Sequence, residues 1–224
     1  MGEVNMRVLA ATLTLVFALS VAGCALTQLP RGTSCAEIID APILSINPTS
    51  LVGEEASRKW VTSTFGSKAT EIQWASHGYG IYSLKWLVDG NREYSLGLDS
   101  NEVGVSMGLW WRHRRPVVAD MLRCLGAPQA YRAMYKTQPG GVYTEADFVY
   151  LDRGIVFGSY ERGKIQVGKD TEVFAFLIGI PDGSIEALNS RLMPPDATQW
   201  ERDHLPFKPW PGSVERIEID DTTK

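Results

Sequence analysis

Residues 115–135 read RPVVADMLRCLGAPQAYRAMY, and this stretch decides the fold class. A helix-like run closes at Leu125-Gly126, Pro128 follows, and an alternating segment takes over. Glycine just past the last apolar helical position is the expected helix stop, and a proline soon after prevents continuation. Residues 54–74, EEASRKWVTSTFGSKATEIQW, repeat the order: a helix-like run, a stop at Phe65-Gly66, then an alternating segment.

Strand-like segments follow each helix. The first half offers IYSLKWLV (81–88), an Asp89-Gly90 turn, REYSLGL (92–98) and NEVGVSMGLWW (101–111). The second offers ADFVYLD (146–152), an Arg153-Gly154 turn, IVFGSYE (155–161) and EVFAFLIG (172–179). Asp-Gly between alternating apolar runs is a strong hairpin signal. The expected class is α+β, with two helix-plus-antiparallel-sheet repeats in one globular unit. A third helix-like run, DGSIEALNSRL (182–192), closes the second repeat. The expected boundaries are 51–115 and 116–192 for the repeats. A Pro-rich C-terminal strap occupies 193–224 and carries Trp200, Phe207 and Trp210. Such a strap lies across the domain surface, because three large aromatics are costly to leave in water.

Upstream, residues 8–23 read VLAATLTLVFALSVAG without a charge. A helix crossing a bilayer needs about 20 apolar residues, so this shorter run fits the apolar region of a signal peptide. Arg7 is the one cation ahead of it and Glu3 offsets it, so translation starts at Met1 or at Met6. The Gly2 myristoylation pattern fails, because Met6 stands where Ser or Thr is required. The run ends in Val21-Ala22-Gly23-Cys24, small residues before a cysteine. This resembles the lipobox of bacterial lipoproteins. The resemblance implies a signal peptide over 1–23, diacylglycerol and fatty acyl (palmitate-type) chains on Cys24, and a domain lipid-anchored in the cell envelope on the extracytoplasmic side. Residues 24–50 then form the lipidated cysteine and a Ser-, Thr- and Pro-rich tether.

Cys35 and Cys124 remain. An even pair in an oxidising compartment invites a disulfide. The position of Cys124 inside a helical pattern favours two buried thiols instead.

The turn Leu125-Gly126-Ala127-Pro128 and the hairpins after it are similar to the SmpA/OmlA-type outer-membrane lipoproteins of barrel assembly. The tandem order also resembles the β-lactamase-inhibitor-protein architecture. The likeness covers about half the chain and implies a non-catalytic protein-binding or scaffold domain without identifying its partner; for a membrane-tethered domain an envelope protein is the expected partner.

Composition narrows the functional classes. The chain has 224 residues, 44% hydrophobic and 21% charged, with a formal net charge of -4. A binder of phosphate backbones needs a basic surface, so nucleic acid is not expected as a partner. Three cysteines without a CxxC pair and three scattered histidines, His77, His113 and His204, form no zinc pattern, so no metal or cofactor is expected. HExxH, GxSxG and the phosphate-loop motif are absent from the sequence, and no catalytic residue is nominated. An extracytoplasmic hydrolase whose site assembles only in three dimensions stands as the alternative. SHGYGIY (76–82) places His77 in a glycine loop, where it is solvated or part of a small polar site. QPGGVYTEAD (138–147) lacks a basic residue and reads as a long hairpin turn rather than a phosphate cradle.

The most unusual polar run is GLWWRHRRPV (108–117). Trp110, Trp111, Arg112, Arg114 and Arg115 suit an anionic membrane interface or an acidic partner. The competing reading places one Trp in the core and turns the arginines to water.

Overall fold

The computed structural model describes residues 27–28, 33–76, 82–138, 141–179 and 206–221. The signal segment, Cys24, His77, the 182–192 run, Trp200 and His204 lie outside them.

Ten strands form one sheet, ordered β11-β7-β8-β9-β10-β5-β4-β3-β2, with β12 also pairing β7. The first meander comprises β2 (Ala69–Ser76), β3 (Tyr82–Val88), β4 (Arg92–Leu98) and β5 (Gly104–Trp111). The second comprises β7 (Ala130–Gln138), β8 (Gly141–Tyr150), β9 (Ile155–Arg162) and β10 (Glu172–Ile178). β11 (Lys208–Pro209) and β12 (Asp220–Asp221) are short additions on β7. Apart from the parallel β12, every pairing in this sheet is antiparallel. The halves therefore do not own separate sheets. β5 and β10, the last strand of each meander, pair directly and fuse them, with Ala175 opposite Trp110 and Phe176 opposite Leu109.

The helices form where the stop signals require. α3 (Gly53–Phe65) buries Ser57, Val61 and Phe65, one stripe spaced by a helical turn. α4 (Val118–Leu125) buries Val118, Met121 and Leu125. Each ends on a glycine with positive φ, +56° at Gly66 and +81° at Gly126, where a Cβ would be strained. The β3–β4 hairpin turns through Asp89 (φ +50°) and Gly90 (φ +69°), the left-handed pair that matches strand twist.

Both helices lie on one face of the sheet. Leu84, Trp86, Tyr94, Leu96, Met107, Leu109, Phe148, Phe157 and Phe176 fill the core there. Trp86 stacks on Tyr94 with centroids 5.4 Å apart, and Phe148 on Phe157 at 4.6 Å.

Residues 33–50, expected as tether, are part of this core together with Leu51. α1 (Cys35–Ile38), α2 (Ala41–Leu44) and a 3-10 turn at Pro48–Ser50 carry Ile38, Ile39, Ile43 and Leu51 into it. Elements this short show no periodicity in sequence, yet burying four aliphatic side chains is worth about 1.5–3 kcal/mol each. Polar contacts fasten the same arm. Tyr94 Oη donates to Asp40 Oδ2 (2.5 Å), Arg92 Nη1 donates to the Ala36 carbonyl (2.9 Å), and Trp111 Nε1 donates to the Ile38 carbonyl (3.2 Å). Arg92 also pairs with Asp40 at 3.2 Å and Asp89 at 2.7 Å.

Cys35 and Cys124 form a disulfide, with Cα atoms 5.4 Å apart. Two buried thiols, the reading favoured by the helical context, are thus not what the fold contains. Cys35 is exposed and Cys124 half-buried, so α4 sets this cysteine at the margin of the core, within reach of the arm.

The strap is present over 206–221. Phe207 is buried against Ala130, Val149 and Val156, on the sheet face away from the helices. Trp210 packs edge-on against Tyr131 and Phe148 on the helix-bearing face.

Candidate functional site

The GLWWRHRRPV run divides into parts with different fates. Trp111 points to the core and is buried. Arg112 donates through Nε to Glu93 (2.8 Å) and through Nη2 to Glu71 (3.0 Å), and these hydrogen bonds hold its pKa above the usual arginine value, the Glu93 bond contributing most. Arg115 is half-buried beside Glu172 at 3.6 Å, and burial lowers its pKa while Glu172 raises it. Asn91 accepts at Oδ1 from the backbone N–H groups of His113 and Arg114, which fixes the turn. The expected five-residue contact patch is therefore not assembled: one Trp serves the core and two arginines serve internal ion pairs. His113 and Arg114 are exposed, and Arg114 makes no ion pair among the described residues. The backbone of Arg114 and Arg115 forms β6, which pairs in parallel with β1 (Thr27–Gln28).

Trp110 turns the other way, onto the sheet face opposite the helices, because successive strand residues alternate faces. One row crosses that face through directly paired residues: Arg132, Asp147, Gly158, Ala175, Trp110, Glu93 and Leu87. Gly158 and, one pleat from the row, Gly108 let aromatic rings lie down on the sheet. A Cβ at Gly108 would collide with the Trp110 ring, and one at Gly158 would come within 2.8 Å of Phe174 Cζ. The irregularity between Val173 and Ala175 is what brings Phe174 onto this face. Ser95, Gly97 and Ser106 keep the neighbouring surface low. Tyr143 and Tyr160, with centroids 5.5 Å apart, extend the aromatic strip. At the β7 end Arg132 pairs with Asp147 (2.7 Å) and lies 4.6 Å from the centre of the Phe207 ring.

Sequence reasoning nominated Trp110 but missed Phe174, Tyr143 and Tyr160. The available signal was glycine inside strands at 97, 108 and 158, which marks a bulge or a close approach. Among the described residues no group of three or more His, Cys, Asp or Glu side chains could hold a metal ion, and no helix is long and apolar enough to cross a membrane.

The chain is thus an α+β domain: one large antiparallel sheet, helices on one face and a low, aromatic-bearing surface on the other. No family model matches it, and no curated protein matches it. Among solved structures it is similar to a BLIP-like protein of Bacteroides fragilis NCTC 9343. That match has 14% identity over 58% of this chain and 91% of the other, with a TM-score of 0.24. A likeness of that degree carries no argument about this chain's activity.

Proposed function

We propose that the chain is a lipid-anchored envelope protein of the extracytoplasmic side, held at a bacterial membrane through Cys24, whose sheet face opposite the helices binds a protein surface without catalysing a reaction. The observation that carries the binding part is the cluster of half-buried rings Trp110, Tyr143 and Tyr160 on that face. Trp110 lies over Gly108 and Phe174 over Gly158, with serines in the neighbouring rows. Aromatic side chains with a small polar surround supply contact area at low entropic cost. The Cys35–Cys124 disulfide supports the extracytoplasmic part, because such bridges persist in oxidising compartments. Val21-Ala22-Gly23-Cys24 after an uncharged run supports the anchor.

In the same reading the halves 51–115 and 116–192 are repeats of one unit. Each runs from a helix into a four-strand meander, Phe65 and Leu125 are both buried at the helix ends, and β5 meets β10 as two equivalent strands would across a local two-fold axis.

Two measurements test the function. Mass spectrometry of the membrane fraction should show an acylated N-terminal Cys24, and Cys24→Ala should release the protein. A photo-crosslinker at position 110 should capture a discrete envelope protein, one at Lys59 on the outside of α3 should not, and Phe174→Ala should abolish the capture. An unmodified, membrane-retained Cys24→Ala chain overturns the anchor; equal capture from positions 110 and 59 overturns the binding face.

A further inference from the structure

The sheet has two unlike ends. At one end lie the β3–β4 turn, the Trp111–Arg115 corner and the β9–β10 loop, because Val88, Arg92, Trp111 and Glu172 all occupy that end of their strands. This rim exposes Lys68, His113, Arg114, Lys164, Ile165 and Lys169, together with the acids Asp89, which pairs with Arg92 at 2.7 Å, and Asp170. Lys68 and Arg114 have no ion-pair partner among the described residues, while Lys164 pairs with Glu161 (3.0 Å) and Lys169 with Glu215 (2.8 Å). Ile165 is 54% exposed, an isolated large apolar side chain among these cations. Among the described residues the opposite end carries the Asp99–Glu102 and Leu151–Gly154 turns, with Asp99, Glu102 and Asp152, Arg153, which Asp152 faces at 3.9 Å, and Val52, 51% exposed beside Val103.

The chain enters at the end that carries Lys68 and Arg114. Thr27 lies opposite Arg114 in the β1–β6 ladder. Cys24 stands three residues earlier, a reach of at most about 11 Å when fully extended. An acyl group on Cys24 sits in the hydrocarbon, and the headgroup layer above it is about 5–7 Å deep per leaflet. So short a connection leaves the domain little choice about which end meets the bilayer.

From these facts we infer that the domain docks on an anionic lipid surface by its β1–β6 end, with Lys68, Arg114 and Lys164 at the headgroups, Ile165 dipping among them, and the Asp99–Glu102 turn directed away. Cations near anionic headgroups and an apolar side chain at the interface are the two terms such docking uses. The inference rests on acylation of Cys24, and it assigns an orientation that acylation alone does not.

The test uses full-length acylated protein in phosphatidylethanolamine–phosphatidylglycerol vesicles containing a nickel-chelating headgroup lipid. Single spin labels are placed at Arg114→Cys, Ile165→Cys or Asn101→Cys, all exposed positions, with one label per chain confirming that Cys35 and Cys124 stay bridged. The two ends are separated by a strand length of about 20 Å, so relaxation enhancement at 114 and 165 should exceed that at 101 by at least about threefold. Replacing phosphatidylglycerol by phosphatidylcholine should narrow the contrast. Acylated, vesicle-bound protein with equal enhancement at the three sites, or with 101 the most affected, overturns the orientation and leaves the anchor standing. Protein without the acyl mass overturns the anchor and this inference with it.

Discussion

Replacing both Cys35 and Cys124 by serine should cost the domain about 4.5 kcal/mol. The bridge closes a loop with a sequence separation of 89. In the chain-entropy treatment a loop of about that size removes roughly 15 cal/mol/K from the unfolded ensemble, which at 25 °C gives the figure above. The native state loses little from the exchange itself, because Cys35 is exposed and Cys124 only half-buried. With a urea dependence of about 2 kcal/mol per molar, the midpoint should fall by about 2 M while the slope rises modestly, as the unbridged unfolded chain exposes more surface. The assay is equilibrium urea unfolding followed by tryptophan fluorescence, comparing the native protein, the double serine variant and reduced protein. Reduced protein and the variant should coincide. Two thiols that react in the untreated folded protein, or a midpoint shift equivalent to less than about 1 kcal/mol, would refute the reasoning.

Other expectations follow from the polar contacts. Arg92, 6% exposed and shared between Asp40 and Asp89, should cost about 3–5 kcal/mol on replacement by Ala. Arg112→Ser should cost at most about 1 kcal/mol, since its pairs with Glu71 and Glu93 are 38–50% exposed on at least one side; urea midpoints separate the two. Burial, with Asp40 adding to it, pushes the Tyr94 hydroxyl pKa far up, and burial does the same for Tyr150. The unfolded chain releases these protons from about pH 10 while the folded protein keeps them, so their stability contribution is complete below pH 10. It then declines by about 1.4 kcal/mol per pH unit for each tyrosine as pH rises. Alkaline unfolding titrations should show that slope reduced by about 1.4 kcal/mol per pH unit in Tyr94→Phe. Gly108→Ala should displace the Trp110 ring and change its emission, while leaving the far-UV circular dichroism intact.

What could be read from sequence was the local part. Leu125-Gly126 and Phe65-Gly66 stop their helices because a left-handed residue follows, and Asp89-Gly90 turns a hairpin for the same reason. These signals depend only on neighbours in the chain. The β5–β10 junction does not: nothing within NEVGVSMGLWW or EVFAFLIG says which strand each will pair with. The same limit hid the fate of the arginine run. Arg112 finds Glu93 and Glu71 at separations of 19 and 41 residues, so a cluster that looks like a patch in one dimension is dispersed into ion pairs in three. The arm at 35–51, nearly all of it inside the expected tether of 24–50, is illegible in sequence for a different reason. Its helices have four residues each, too few to display a period, and its four buried aliphatics act through the sheet beneath them.

That arm changes what anchoring through Cys24 would mean mechanically. A lipoprotein with a long tether can search a wide volume and approach its partner in any attitude. Here the chain is engaged almost at once. β1 pairs with β6 at Thr27, the disulfide locks Cys35 to α4, and Ile38, Ile39 and Ile43 enter the core within the next eight residues. Arg123 adds a hydrogen bond from Nη2 to the Thr33 carbonyl at 2.6 Å. A pull on Cys24 would be shared first by a two-residue ladder and then by a covalent bridge, instead of being absorbed by slack chain. Under the proposed anchor and orientation the strands would run away from the membrane end, so the aromatic strip of Trp110, Phe174, Tyr143 and Tyr160 would stand on a face whose strand axes rise from the bilayer. A partner reaching that face would approach from the side, within about one strand length of the bilayer, roughly 20 Å. In that case a second membrane-held protein would satisfy the geometry more readily than a freely diffusing one. Removing residues 33–51 would therefore do more than shorten a linker: it would take four aliphatic side chains out of the core and release the domain's attitude together with its fold.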